Sequence, residues 1–423
     1  MSVDHAGNLL PAAHRSKSSS LRRVAAAAAV SLALGAFGAA HAADTVRPEV
    51  GKPLQAAQDL IKRGSYRDAL RQVETADKVG SQTAYENYLI ERMRLAAASG
   101  AGDVNAAGRA FDFIEKSGRV NAAEKLRMLE SLTGLAYRAK DYGKTMQWGQ
   151  RYLNEGGGNS SIRTLLIQAQ YLSGDFSGAA KQLTAEIQAT EKSGKAPDED
   201  RLNLLLNAAQ RLNDQDLSVF TIEKLITYYP KKAYWADLLS RLQRKQSFSD
   251  RFALDVYRLS LVTGVMDSAN DYMEAAQLAV QAGFPAEGKK ILDKGYEAKV
   301  LGVGDQAGRH QRLRDLIAKR LEEKKAAMET ELADAKAAKD GNALLDVGYN
   351  LVINGDAAKG LELMQQGIEK GGLKRPDDAQ LHLGIAQTLA GQGTKALTTF
   401  RGVKGKDGSA DLARLWALQA RKK

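Results

Sequence analysis

The sequence predicts an all-α protein, an α-solenoid of stacked helix-turn-helix repeats. The main observation is a regular interval: turn positions recur 33 to 39 residues apart, with one gap of 72 that spans two intervals. At most of these positions an apolar stretch with helical spacing ends in a short polar turn, and a small residue then opens a second such stretch. Repeats of this length form solenoids, because each repeat buries its apolar face only against its neighbours. The turn positions are Gly64, Gly102, Lys140, Gly174, Asn213, Gln246, Gly283, Gly355 and Gly391.

The composition also favours helix over most of the chain. The 423 residues include only 7 prolines, and the abundant Ala, Leu, Lys, Gln and Glu are good helix formers. The formal net charge is +11, with charges of both signs interspersed as on solvated helix faces. The sequence has no cysteine, which excludes disulfides, thiolate metal ligands and a cysteine nucleophile.

The first 42 residues are typical of a signal peptide. Basic residues that include Arg22 and Arg23 precede an Ala-rich apolar run, and Ala40-His41-Ala42 provides the small-x-small site of a signal peptidase. The run is shorter and more weakly apolar than a membrane span. We therefore expect cleavage after Ala42, an exported, periplasmic protein, and no transmembrane span after cleavage. A basic protein in that location meets anionic envelope polymers first, so no nucleic-acid partner is expected.

Residues 43–423 are expected to form a single solenoid of about ten helical-hairpin repeats. In one C-terminal repeat, Gly348 and Gly360 mark positions where two helices cross closely. The segment 309–338 keeps helical spacing and fills the doubled interval, although it lacks the small residues. Residues from about 407 to 423 are expected to form a capping helix for the open end of the solenoid.

This pattern resembles the tetratricopeptide repeat (TPR) family. The family consensus has a bulky residue, then Leu-Gly three and four positions later, and small residues after the turn. Leu344 with Val347-Gly348 fits that pattern in one repeat, and Tyr272 occupies the bulky position in another. The resemblance implies an exported bacterial TPR-like protein with a right-handed superhelix, whose concave groove binds an extended segment. The resemblance is strongest over residues 64–78, 272–296 and 344–403.

We predict that the partner-binding site lies on the first helices of the middle repeats. If Leu202, Trp235 and Tyr272 hold the bulky position, the resemblance indicates which polar side chains face the concave groove. Amides both donate to and accept from a peptide main chain or sugar hydroxyls, and arginines add charge for carboxylate or phosphate groups. The alternative is that these residues are ordinary solvated helix surface. The predicted partner-binding residues are Gln168, Asn203, Asn207, Arg211, Ser240, Arg244, Gln277 and Gln281.

A second candidate contact is the charged loop around Phe248. Residues 228–257 contain seven aromatic side chains. Most of them are expected in the core, since this part of the chain has large residues where other repeats have small ones. Phe248, between Lys245 and Arg251, would instead place one apolar tip among charges, which suits contact with a partner.

The sequence predicts no catalytic, metal or cofactor site, so we expect a protein that is not an enzyme. After residue 42 the two histidines, His310 and His382, lie on different repeats and lack a second ligand at metal-binding spacing. Residues 302–307 match a dinucleotide-binding pattern, but that pattern needs a buried strand before it, and here a repeat helix precedes it. We expect this segment to be a loop between repeats.

These features predict a non-catalytic scaffold or adaptor of the bacterial cell envelope. The expected partner is a protein or peptide of the envelope, held as an extended segment in the concave groove. The alternative is an accessory protein that handles envelope polysaccharide or peptidoglycan, with an anionic glycan as ligand. A glycan would favour exposed aromatic side chains that stack on sugars, whereas a protein partner would favour apolar anchors.

Overall fold

The computed structural model describes residues 45–421, and in this range the chain forms twenty α-helices and no β-strand. The predicted signal peptide, residues 1–42, lies outside the described residues. The fold class is an all-α solenoid, which confirms the sequence prediction. The chain divides into two compact units, up to Gly178 and from Ala179 onward, and each unit is described by itself. A single continuous solenoid over residues 43–423 stays a prediction.

The described part of unit 1 consists mainly of helical hairpins. Its helices are α1 (Pro48–Lys62), α2 (Tyr66–Asp77), α3 (Ala84–Ala101), α4 (Val104–Lys116), α5 (Ala122–Arg138), α6 (Tyr142–Asn154) and α7 (Ser160–Leu172). The helices pair in chain order, α1 with α2, α3 with α4 and α5 with α6, and α7 packs on α6. Helix α8 (Phe176–Lys192) begins at the end of unit 1 and continues into unit 2.

Local sequence explains where the hairpins turn. Eight of the nine predicted turn positions have a positive φ, from 54° at Asn213 to 104° at Gly355, and Gln246 is the exception. A residue in this left-handed conformation ends the first helix, and glycine adopts it without steric cost. An Asp then often opens the second helix: the carboxylates of Asp103 and Asp141 accept a hydrogen bond from the backbone amide three residues later. The interval in the sequence therefore records one left-handed turn for each hairpin.

The core of unit 1 lies between successive hairpins. At Gly108 of α4 an added Cβ would lie 2.9 Å from the ring of Trp148 on α6. At Gly149 of α6 it would lie 2.9 Å from Leu166 on α7. Both large side chains are buried. Each hairpin therefore completes its core with side chains from the next, as expected for stacked repeats.

Unit 2 contains the remaining helices of the described chain. After α8 they are α9 (Glu199–Arg211), α10 (Gln215–Tyr228), α11 (Lys232–Gln243), α12 (Ala253–Thr263), α13 (Ala269–Gln281), α14 (Pro285–Glu297), α15 (Ala307–Ala337), α16 (Asn342–Asn354), α17 (Ala357–Lys370), α18 (Pro376–Leu389), α19 (Gly393–Arg401) and α20 (Ser409–Ala420). A one-turn 3₁₀ helix, Asp250–Phe252, precedes α12. The long helix α15 has 31 residues and fills the doubled interval, where no hairpin forms.

The hairpin of α16 and α17 has a very close helix crossing. At Gly348 an added Cβ would lie 2.6 Å from the carbonyl oxygen of Gly360, and at Gly360 it would lie 2.5 Å from the carbonyl oxygen of Gly348. The two backbones therefore approach each other with no room for a side chain on either helix. The predicted role of these two small residues is confirmed.

The C-terminal helix α20 turns back onto the earlier helices of unit 2. It packs on α19 and α18, and also on α10 and α12. The loop after α11 holds it: the Ser249 amide donates to the Asp407 carbonyl at 2.9 Å. Arg251 donates to both oxygens of Asp378 at 2.9 and 3.0 Å, and also to the carboxylate of Asp407. These contacts join parts of the chain that are 127 and 156 residues apart.

Two further contacts complete this closure. The Phe248 ring packs on Gly408. Glycine suits this position, because its φ is 108° and a side chain there would meet the ring. Lys245 lies 2.9 Å from the carboxylate of Asp411. The helix α20 thus contacts helices from the middle of the chain as well as the last hairpin, and its role as a cap stays a prediction. We call these contacts the clasp; its residues are Lys245, Phe248, Ser249, Arg251, Asp378, Asp407, Gly408 and Asp411.

Candidate functional site

The predicted partner-binding residues are divided between the two units. Gln168 lies on α7 of unit 1 and is half-buried. The other seven lie in unit 2, on α9, α11 and α13 or directly after α11. Four of these are exposed and three are half-buried. We call these seven residues the track; they are Asn203, Asn207, Arg211, Ser240, Arg244, Gln277 and Gln281.

The structure brings part of the track together. Asn203, Asn207 and Arg211 lie one helical turn apart on one face of α9. The hydroxyl of Tyr234, near the start of α11, donates to the side chain of Asn203 at 3.4 Å, so α11 is bonded to this face. Within residues 45–421, no side chain bonds the amides of Asn207 or Gln277. These two amides are therefore available to water or to a ligand.

Phe248 and Arg251, the second predicted contact, belong to the clasp. Both are half-buried. The Arg251 guanidinium is shared between Asp378 and Asp407 and lies 4.1 Å from the ring of Phe252. The prediction of a free apolar tip is wrong, because unit 2 itself supplies what this loop contacts. Sequence reasoning missed this because the contacting residues come more than 100 positions later in the chain.

The aromatic side chains of residues 228–257 mostly serve packing inside unit 2, as predicted. Trp235 and Phe252 are each 1% exposed. The hydroxyl of Tyr228 donates to Glu191 at 2.9 Å, and that of Tyr229 donates to a backbone carbonyl at 2.8 Å. Burial, with a hydrogen bond to a neighbouring glutamate, raises the pKa of Tyr257 to about 12. This cluster therefore presents no row of exposed rings.

A network of charged side chains lies inside unit 2, and sequence reasoning missed it. Arg258 of α12 donates from Nη1 to Asp255 at 2.8 Å, and from Nε and Nη2 to Glu287 of α14 at 2.8 and 2.7 Å. The hydroxyl of Tyr349 on α16 donates to Glu287 at 3.1 Å. His382 Nε2 on α18 lies 3.1 and 3.2 Å from the two carboxylate oxygens of Asp255. Four helices are therefore joined through one set of polar contacts.

The electrostatics of this network follow from burial and pairing. Burial alone would raise the pKa of Asp255, but the charges and hydrogen bonds of His382 and Arg258 hold it at about 2. Burial raises the pKa of the Tyr349 hydroxyl well above its usual value. Arg258 also lies over two rings, 4.6 Å from that of Tyr349 and 5.4 Å from that of Phe284. The buried ions are thus fully paired, which is the condition for keeping them in a low-dielectric interior.

One signal in the sequence could have revealed this network. Asp255 and Arg258 lie within the otherwise largely apolar stretch of α12, and both are buried. Charged residues are rarely buried unless they are paired. An ion pair within an apolar helix therefore indicates partners on neighbouring helices, although it does not say which ones.

A cavity of about 400 Å³ opens beside the network, within unit 2. Arg258, Tyr349 and His382 form part of its wall, together with residues of α16, α17 and the start of α18. Its volume falls in the range of small-molecule sites, about 300 to 1,000 Å³. The lining residues are Arg258, Phe284, Asn342, Leu345, Asp346, Tyr349, Met364, Lys374, Arg375, Asp378, Ala379 and His382.

The other residues considered for chemistry have structural roles. The segment 302–306 is a loop between α14 and α15, as predicted, and the Gly302 amide donates to Nδ1 of the buried His310 at 3.1 Å. Among the described residues, no group of three His, Asp or Glu side chains is arranged to hold a metal ion.

Comparison with known proteins gives only distant likenesses. No protein-family model matches the sequence, and no curated protein matches it. Among solved structures, Naa15/Naa10 bound to HypK-THB aligns with a TM-score of 0.27 and 14% identity, over 86% of this chain and 64% of that chain. The pentatricopeptide repeat protein PPR10 from maize aligns with a TM-score of 0.28 and 12% identity, over 86% and 61%. Yeast Tom70 aligns with a TM-score of 0.24 and 12% identity, over 88% and 95%.

The chain thus spans less than two thirds of the first two of these proteins. At such TM-scores the likenesses carry no argument about function.

Proposed function

We propose that this protein is a non-catalytic scaffold or adaptor that binds an extended protein segment along the track. The observation that supports this proposal is the contrast between two amides of the track and the side chains of the clasp and of the buried network. The polar side chains of the clasp and of the buried network are bonded to one another, whereas Asn207 and Gln277 bond no side chain of the described protein. These two amides, on α9 and α13, have no partners within the described residues and are suited to an external ligand.

An extended protein segment fits the chemistry of these side chains. A main chain in extended conformation presents donors and acceptors alternately, and a carboxamide can satisfy both kinds of group. Leu212, directly after Arg211, is 41% exposed and offers an apolar anchor beside the polar contacts. A partner with a carboxylate near the end of α11 would gain a charge-assisted bond from Arg244, which is exposed and has no ion pair within the described residues.

The location of this activity is part of the proposal. The order of basic, apolar and small-x-small segments in residues 1–42 supports export to the periplasm. In that compartment the partner is a protein or peptide of the cell envelope. A glycan ligand has less support, because the aromatic side chains of residues 228–257 are mostly buried or bonded rather than presented as a stacking surface.

The experiment is crosslinking in intact cells from a photoreactive residue at Gln281, an exposed track residue that the variant leaves unchanged, compared between the otherwise wild-type protein and a track variant. In the variant, Asn207, Arg211, Arg244 and Gln277 are all replaced by Ala. Capture should fall tenfold or more, because two lost charge-assisted contacts suffice for such a change. Circular dichroism and melting should change little, since exposed polar-to-Ala substitutions each fall within about ±0.5 kcal/mol.

A matched control removes the same residue types elsewhere in unit 2. Gln306, Arg309, Gln311 and Arg312 at the start of α15 are all exposed, and their replacement by Ala also deletes two positive charges. Capture should be unchanged in this control. Equal loss in both variants would point to net charge alone, and unchanged capture in the track variant would refute the track. Capture of polysaccharide or peptidoglycan instead of protein would select the alternative function.

A further inference from the structure

We propose that the cavity of unit 2 is a second binding site, for a small zwitterion that carries an ammonium group and a carboxylate, such as a free amino acid or a dipeptide. The site is separate from the track, since no track residue lines the cavity. The proposal rests on which polar groups of the wall already have partners and which do not.

The polar side chains of the inner cavity wall already have hydrogen-bond partners within the protein. Arg258 uses Nε and both Nη atoms on Asp255 and Glu287, and the Tyr349 hydroxyl donates to Glu287. Asp378, on another part of the wall, accepts two hydrogen bonds from Arg251. These groups form a fixed surface and leave the recognition of a ligand to the remaining charged residues.

Asp346 is the acidic group of the wall that lacks a donor. No described side chain donates a hydrogen bond to its carboxylate. Protein surrounds this group although solvent reaches it, and the resulting desolvation raises its pKa. The charges around it are those of His382, Lys324 and Lys374, together with Glu331, which is paired with Lys324 at 2.6 Å. Asp346 is exposed and lines the cavity, so a ligand can reach its carboxylate. The carboxylate has no donor of its own among the described side chains, and an ammonium group brings three.

Two cations line the same cavity: Lys374, which has no ion pair in the described chain, and Arg375, which shares one carboxylate with Arg251. Arg375 lies 3.9 Å from Asp378, but that carboxylate is already bonded to Arg251. Both residues are exposed and belong to the short segment before α18. A ligand carboxylate would find its partners here, so the wall offers one site for each end of a zwitterion.

The remaining wall sets a preference for the ligand side chain. Phe284, Leu345, Met364 and Ala379 contribute apolar surface beside these charged groups. Methionine adapts to ligands of different shape. An apolar amino acid such as leucine therefore fits better than a charged one.

Calorimetric titration of the purified full-length mature chain tests this proposal with four probes: leucine, leucyl-leucine, N-acetyl-leucine and leucinamide. The two zwitterions, leucine and leucyl-leucine, should bind. The one that binds more tightly shows whether the cavity prefers an amino acid or a dipeptide. N-acetyl-leucine lacks the ammonium and leucinamide lacks the carboxylate, so each should bind at least tenfold more weakly. Failure of both zwitterions to bind the folded protein would overturn the proposal.

Two variants assign the two ends of the ligand. Asp346→Asn should weaken leucine binding tenfold or more and leave the weak binding of N-acetyl-leucine unchanged. The double variant Lys374→Gln with Arg375→Gln should weaken the binding of leucine but not that of leucinamide. The control Asp305→Asn, an exposed aspartate outside the cavity, should bind leucine like the wild type.

The ligand-free melting temperature provides an independent readout. Asp346→Asn should melt at or above the wild-type temperature, because it removes an unpartnered charge. A lower melting temperature would show that Asp346 is structural and would count against the site. The track variant should bind leucine normally, so failure of this proposal and failure of the proposed function give different results.

Discussion

At the scale of single residues, Glu86 illustrates a carboxylate held by several donors. Its side chain is fully buried in unit 1, and Arg47 donates to it from Nε, Nη2 and its backbone amide at 2.9 to 3.2 Å. The backbone amide of Thr83 adds a further bond at 2.9 Å. The side-chain hydrogen bonds from Arg47 contribute most to lowering the pKa of Glu86, to about 2.

This lowered pKa predicts an acid-dependent loss of stability. Because the pKa is lower in the folded state than the ordinary value of about 4.3, the contribution is complete above pH 4.3 and is lost as the pH falls toward 2. Glu86→Gln should therefore be less stable than the wild type at pH 7, and the difference should shrink between pH 4 and pH 2. Urea unfolding across this range measures it.

Glu74→Gln is the control, because Glu74 is exposed and its side chain has no bond within the described residues. Its free energy of unfolding should follow the wild type at every pH. If the free energies of unfolding of Glu86→Gln and the wild type differ by the same amount at every pH, the Glu86 charge does not have this role.

At the scale of elements, the α16–α17 hairpin depends on the crossing of Gly348 and Gly360. Replacing Gly348 by Ala places a methyl group against the Gly360 carbonyl. Such overpacking costs about 1 to 3 kcal/mol, which exceeds the gain of about 1 kcal/mol in helix propensity. We expect a lower free energy of unfolding for Gly348→Ala, measured with urea.

Gly308→Ala is the matched substitution on α15. An added Cβ there approaches only the flexible end of Arg312, at 3.6 Å. Helix propensity should then dominate and stabilise the protein by up to about 1 kcal/mol. Equal free energies of unfolding for Gly348→Ala and Gly308→Ala would contradict the close crossing.

Elements of this kind could be predicted from sequence because their causes are local. The positive φ at Gly102 or Gly355 and the small residue at Gly348 belong to a single hairpin, so they leave a periodic pattern. The clasp and the buried network left no such pattern, because His382 and Asp255 are 127 residues apart. The track was deduced from the resemblance and stays a prediction. The cavity could not be predicted, because its wall depends on which helices pack together.

At the scale of the whole molecule, the clasp makes unit 2 respond as one body. Arg251→Ala removes the ion pairs to Asp378 and Asp407 together. Hydrogen exchange should then accelerate jointly in α12, α18 and α20, because opening the closure frees all three helices. Mass spectrometry of exchanged peptides measures this change.

Arg401→Ala, at the exposed end of α19, is the control for this experiment, since the Arg401 side chain makes no ion pair within the described residues. It should leave exchange in the same helices unchanged. If Arg251→Ala affects only the peptide that contains residue 251, the clasp does not couple these helices.

The clasp also joins residues that are synthesised at very different times. Lys245, Arg251 and Asp255 are synthesised well before their partners Asp411, Asp407 and His382. At about 5 to 20 residues per second, the 156 residues between Arg251 and Asp407 take on the order of ten to thirty seconds to synthesise. During that time the Asp255 carboxylate lacks the histidine that it contacts in the complete protein. The clasp of unit 2 can therefore form only after the last helix of the chain has been synthesised.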